Sequence, residues 1–267
     1  MYDLNALGWL FAGLCGLVVG MSKCGLPGLG SLAVPMMAGV LPAKTATGAL
    51  LPLLVAGDMA GALHFRRHAD WLLLLRLLPI AVCGIWLGYV LLGQPWVDDH
   101  VIRMVTATIV LALVVMNQFR GRLHAWASGD GRSGASRWAV AVLFGLLAGV
   151  TTMLANAAGP VMLIYLLAMR LQKDEFIGTF AWFFVVINWL KVPFMVCRGM
   201  ITADSLLFNL RLLPALLLGC WLGIVLSRRL SNDRFRLWIE LLTALAALLL
   251  FLPPGLLSSL ARQLLQP

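Results

Sequence analysis

The chain has 267 residues, of which 61% are hydrophobic and only 12% charged, with a mean hydropathy of +0.94. A soluble domain runs nearer half apolar and a quarter charged, and no polar stretch here is long enough to form one, so the bilayer is the expected solvent for an all-α chain. The formal net charge of +9 would suggest nucleic acid in a soluble protein. Here half of the Lys and Arg fall in three short loops between apolar runs, as the positive-inside rule requires, so nucleic acid is not an expected partner. The five cysteines lie in or beside apolar segments; their odd number and spacing fit neither a disulfide framework nor a metal site. No cofactor and no metal are expected.

The N-terminal stretch carries Asp3 and no basic run, and reads as a first membrane segment rather than a cleavable signal. Apolar runs between turn signals give about ten helical segments, near 6–20, 28–41, 47–63, 71–92, 101–119, 138–154, 159–169, 175–196, 205–227 and 235–253. Crossing hydrocarbon takes about 20 residues. The segments at 28–41 and 159–169 are too short for that. Each follows a break, Gly25-Leu26-Pro27-Gly28 in one case and Ala155-Asn156-Ala157-Ala158-Gly159-Pro160 in the other. Such short pairs predict a hairpin dipping into the membrane or a broken helix.

The halves repeat. Arg76–Leu91 and Arg211–Leu226 share ten of sixteen positions at an offset of 135, including Pro79/Pro214, Gly84/Gly219, Trp86/Trp221 and Gly88/Gly223. The shared Gly and Trp read as packing residues, and Arg76 and Arg211 as interface anchors. The expected organisation is a first membrane repeat over 1–119, a cytoplasmic linker over 120–137, a second repeat over 138–255 and a tail over 256–267. Each repeat is a short broken pair followed by three long helices. Five segments per half is odd, so the copies should insert with opposite orientation, as inverted repeats. The basic stretches at His64–His68, Arg120–Arg137 and Arg228–Arg236 then share the cytoplasmic side. The loop with Asp98 and Asp99 lies outside, and both termini are periplasmic. The expected location is the cell inner membrane, crossed several times.

No soluble-enzyme motif is present, and an enzyme is not expected. The stretch Gly39–Thr45 lacks the glycine before Lys44 and the strand of a phosphate loop. His64 and His68 are four apart but flank Arg66 and Arg67, a basic interfacial loop. The informative residues are polar groups at membrane depth, where a charge costs about 2.5–3.5 kcal/mol on insertion scales and needs a cavity or a partner. Lys23, with Ser22 and Gly25, sits at the first break, where exposed N–H groups, a helix N-terminus and an ammonium favour an anion. Asn156, with Thr151 and Thr152, occupies the second break; the threonines can instead bond back to their own helix. Lys191 and Asn188 share a helix face inside 175–196. Asp58 is their rough first-half counterpart and can pair with a lysine or carry a coupling proton. The substrate-binding set expected is therefore Lys23, Ser22, Gly25, Asn156, Thr152, Asn188 and Lys191, with Asp58 as ion pair or coupling group.

Beyond these features the chain resembles the TauE/SafE family of sulfite and organosulfur exporters over almost its whole length. The resemblance is carried by Gly25–Gly30 with Pro35, by Thr47–Pro52 and Gly57-Asp58, by Ala155–Pro160, and by Thr179-Phe180-Ala181 and Asn188–Lys191. It implies export of a small anion such as sulfite, a sulfonate or another organosulfur or carboxylate anion; the duplicated halves, the broken short helices and the cations at membrane depth point to a secondary transporter working by alternating access. The partners implied are that anionic substrate and the lipid bilayer; a homo-oligomer is compatible with both. The alternatives are a membrane sulfur-relay enzyme or subunit using Cys24, whose thiol a nearby cation would activate, and a scaffold or receptor.

Overall fold

The computed structural model describes residues 4–33, 36–37, 43–96 and 134–251, with Val101, Met104 and Thr108. Among these the chain is helical throughout. The elements are α1 (Ala6–Cys24), a 3-10 turn (Leu29–Leu32), α2 (Ala43–His64), α3 (Trp71–Leu92), α4 (Gly134–Ala155), α5 (Ala158–Ala168), α6 (Lys173–Cys197), α7 (Ala203–Arg229) and α8 (Asn232–Phe251). They follow the order of the expected segments. Most of 28–41 beyond the 3-10 turn, most of 101–119 and of the 120–137 linker, and the 256–267 tail lie outside the described residues.

The helix starts are written locally. Asn5 caps α1 by accepting from Gly8 N–H at 2.8 Å, and Asp70 caps α3 through Leu73 N–H at 3.0 Å. Thr202 and Ser205 form a reciprocal capping box at the start of α7. Three helices, α3, α6 and α7, are long and apolar enough to cross a membrane. By contrast α5 has 11 residues, about 16 Å at the helical rise and about half of a roughly 30 Å hydrocarbon layer. Nearly all its side chains are buried, as expected of a helix apolar on every side and enclosed by others.

Two tight crossings organise the bundle: α1 lies along α7, and α4 lies along α3. Both depend on residues without a Cβ. A Cβ at Gly20 would fall 2.1 Å from Leu216 O, and one at Gly219 would fall 2.1 Å from Leu17 O. At the other crossing a Cβ at Gly149 would fall 2.1 Å from Ala81 O. Small residues allow such backbone approach where the hydrophobic effect gives helices little reason to associate. The shared Gly84, Gly88, Gly219 and Gly223 therefore do pack. Trp86 and Trp221 do not: they are 62% and 59% exposed on the outer surface, where in a membrane they meet lipid rather than another helix.

Between the crossings run α2 and α6, packed on each other. The two ends of α6 hold the two repeat-matched helices. Lys173 Nζ, at its start, donates to Ser227 O and Leu230 O at the end of α7, both at 3.0 Å. Arg198, just past its end, donates to Leu92 O at 3.1 Å and Tyr89 O at 3.0 Å, at the end of α3. Cations on final carbonyls satisfy groups that have no partner within the helix. Since α3 and α7 end at opposite ends of α6, they run antiparallel. Asp70 N–H donates to Thr179 Oγ1 at 2.9 Å, which places the loop after His64 at the Lys173 end, beside the loop after Arg228. Both basic loops thus gather at one end of the bundle.

Candidate functional site

The first break stops α1 at Cys24. Pro27 offers no N–H, and Gly28 adopts φ +112°, a backbone that L side chains rarely take. Leu26 N–H turns back to Met21 O at 2.9 Å. Gly30 N–H then donates to Ser22 Oγ at 2.8 Å, folding the 3-10 turn against the end of α1. Lys23 lies in that last turn, where a cation suits the helix dipole. The second break comes at Asn156, left-handed at φ 52°, a conformation Asn tolerates better than most residues. Pro160 follows in the first turn of α5, where its missing N–H is harmless.

A buried polar chain joins the breaks. Lys23 Nζ lies 2.6 Å from Asp58 Oδ1 and 4.2 Å from the centre of the Phe184 ring, near enough for a cation–π attraction. Asn188 Nδ2 donates to Asp58 Oδ2 at 2.7 Å. That bond fixes the Asn188 amide, because only its nitrogen can donate to a carboxylate. Its Oδ1 therefore faces the other way and accepts from Lys191 Nζ at 3.3 Å. Lys191 also donates to Thr152 Oγ1 at 3.0 Å and to Asn156 Oδ1. The order is ammonium, carboxylate, amide, ammonium, then the hydroxyl and amide of the second break. Asp58 and Lys191 are both 0% exposed, and each lies more than a full turn from either end of its helix.

This chain borders a cavity of about 40 Å3. Roughly 10–15 Å3 suffices for one water, so the space takes a few waters or one small ion. Ser22, Lys23, Gly28 and Gly30 line it from the first break; Thr152, Asn156, Gly159 and Pro160 line it from the second; Asn188 lines it from α6. The lining is mostly apolar, and into it the Lys23 ammonium, the Ser22 and Thr152 hydroxyls and the Asn156 and Asn188 amides bring the polar groups that an anion could meet.

Of the expected residues, Ser22, Lys23, Thr152, Asn156 and Asn188 thus meet at one cavity, and Lys191 is bonded to three of them. Asp58 pairs with Lys23. Gly25 lies elsewhere, pressed on Gly223 so closely that a Cβ would sit 1.9 Å from its carbonyl oxygen. Thr151 bonds back to Leu147 O at 2.7 Å. Cys24 is buried and its thiol approaches Gly57 O at 3.9 Å; it is not part of the lining. Arg211 is stacked 5.3 Å over Trp9 on the exposed surface, away from the cavity. Sequence reasoning assigned no site role to Phe180 and Phe184, which line the cavity and face Lys23. Their spacing of four residues, on the face that carries Asn188 and Lys191, was the available signal.

The model of the family described as sulfite exporter TauE/SafE matches residues 6–250. No curated protein and no solved structure matches the chain. The family match spans both breaks, the Lys23–Asp58 pair and the α6 amide and lysine, so it covers every residue of the polar chain just described. The chain belongs to the sulfite exporter TauE/SafE family of membrane transporters.

Proposed function

We propose that this protein carries a small anion out of the cell across the inner membrane by alternating access, with Ser22, Lys23, Thr152, Asn156, Asn188 and Lys191 forming the substrate site. One observation carries the reading: both breaks open onto the same cavity, Lys23 lines it, and Lys191 is buried just behind it, bonded to Thr152, Asn156 and Asn188 of the lining, so that two buried lysines stand against one carboxylate. Inside a membrane such charge marks a pathway. Sulfite, a sulfonate or a related carboxylate suits a small cavity with an ammonium, hydroxyls and amides set among apolar side chains, and export follows the family.

Alternating access needs two halves that can exchange roles about a central site. The antiparallel run of α3 and α7 supports inverted repeats, and the crossings support them residue by residue. Gly16 meets Leu212 O and Ala215 Cβ, as Gly145 meets Leu77 O and Ile80 Cβ. Gly20 meets Leu216 O, as Gly149 meets Ala81 O. The first helix of each half therefore packs on the fourth segment of the other half through matched positions. With the basic loops in the cytoplasm, α1 begins on the periplasmic side, and so do both termini.

The test is anion flux in proteoliposomes. Lys23→Ala and Lys191→Ala should each lower flux at least roughly tenfold, a loss of about 1.4 kcal/mol of binding. Wild-type flux in both variants removes the site.

A further inference from the structure

Resting on that transport reading, we infer that Asp58 is a specificity-determining residue, which sets the cavity for anions of a single negative charge. The inference comes from the buried charges around the cavity. In their ionised forms Lys23 and Lys191 contribute two positive charges and Asp58 one negative, all three of them buried. The remaining partners, Thr152, Asn156 and Asn188, are neutral. Lys191 donates to three oxygens, none of them a carboxylate, and three is the number of N–H groups a protonated amine has. Asp58 reaches Lys191 only through the Asn188 amide. One positive charge is therefore left over in a place closed to solvent.

A monovalent anion entering the cavity cancels that charge. A divalent anion of the same shape would leave a net negative charge among helices, and desolvated charges without a partner are costly. Asp58 makes this difference without facing the cavity, because it holds Lys23 on the side away from the substrate and subtracts its charge. A neutral side chain at that position would leave two positive charges, and the preference should move toward divalent anions. Asp58→Asn keeps the shape and can still accept the Asn188 hydrogen bond through its side-chain oxygen.

Methanesulfonate and sulfate separate charge from geometry. Both are tetrahedral sulfur oxyanions, but one carries a methyl group where the other carries a second charged oxygen. The measurement is the concentration of each anion that half-saturates thermal stabilisation of the purified full chain. Wild type should bind methanesulfonate at least roughly tenfold more tightly than sulfate, about 1.4 kcal/mol. D58N should reduce that ratio at least tenfold or reverse it. K191M, which leaves the cavity neutral, should weaken methanesulfonate by a similar factor. If D58N does not fold, K191M and the wild-type ratio decide. A wild-type preference for sulfate, equal binding of the two, or a D58N change that weakens both anions alike overturns the charge rule while the transport reading stands. Stabilisation by neither anion in wild type removes the binding site itself, and the charge rule with it.

Discussion

Asp58 and Lys23 show what a buried ion pair does for a membrane protein and what it does not. Two ions removed from solvent regain little more than their own desolvation, so replacing both with neutral groups of similar size is often close to neutral, whereas removing one strands the other at a cost of roughly 3–5 kcal/mol. Asp58 is the more vulnerable partner: it is fully buried, and its remaining bond is to a neutral amide. Lys23→Ala should therefore destabilise the protein strongly, and the double variant K23M/D58N should recover most of the loss. Thermal unfolding in detergent compares them. Equal stability of K23A and wild type means that the pair carries no weight. Flux should stay low in the double variant even where stability returns, because the proposed substrate site has lost the ammonium that lines its cavity. That split separates a group kept for transport from one kept for folding.

At the scale of elements, the two crossings make a sharper demand than the hydrophobic core does. Leu, Ile and Phe positions along these helices tolerate exchange for similar volumes, but Gly20 and Gly149 face backbone atoms that cannot move aside. Gly20→Val and Gly149→Val should each prevent a monodisperse folded species in size-exclusion chromatography. Gly13→Ala, on the same helix as Gly20 but with nothing within 4 Å of the added Cβ, should behave as wild type. A folded G20V protein would refute the close approach of α1 and α7. These elements were largely legible in the sequence. The α3 and α7 match stood out because Pro, Gly and Trp recur at a fixed offset, and the breaks stood out because Gly, Pro and Asn interrupt apolar runs. The partner helices did not stand out, although Gly16/Gly20 and Gly145/Gly149 carry the same four-residue spacing; their offset is 129 instead of 135, so a single alignment frame misses them. The site was legible in its members but not in its pairings. A lysine inside an apolar run is visible by itself, whereas the bond from Lys191 to Thr152 joins residues 39 apart and depends on how α4 ends against α6.

For the whole molecule, the arrangement of charge makes the orientation testable. Loops at the Lys173 end of α6 carry Arg66, Arg67, Arg228 and Arg229, while the opposite end holds the turn after Leu92 and the turn after Cys197. Positive residues resist translocation, so the orientation proposed above puts the first end in the cytoplasm. If α3 and α7 are inverted copies, the loop before one and the loop after the other must lie on the same side. Single cysteines in a chain otherwise free of cysteine report this directly. Arg67→Cys precedes α3, Ser231→Cys follows α7, Gln94→Cys follows α3 and Ala203→Cys opens α7; all four positions are exposed at helix ends. A membrane-impermeant thiol reagent applied to intact cells should label 94 and 203, and should reach 67 and 231 only after permeabilisation. The opposite pattern would turn the molecule over and leave the inverted repeat intact. Labelling of 94 and 231 together from one side would place the ends of α3 and α7 on the same face. The two halves would then be parallel, and an exchange of roles about the central lysines would lose its structural basis.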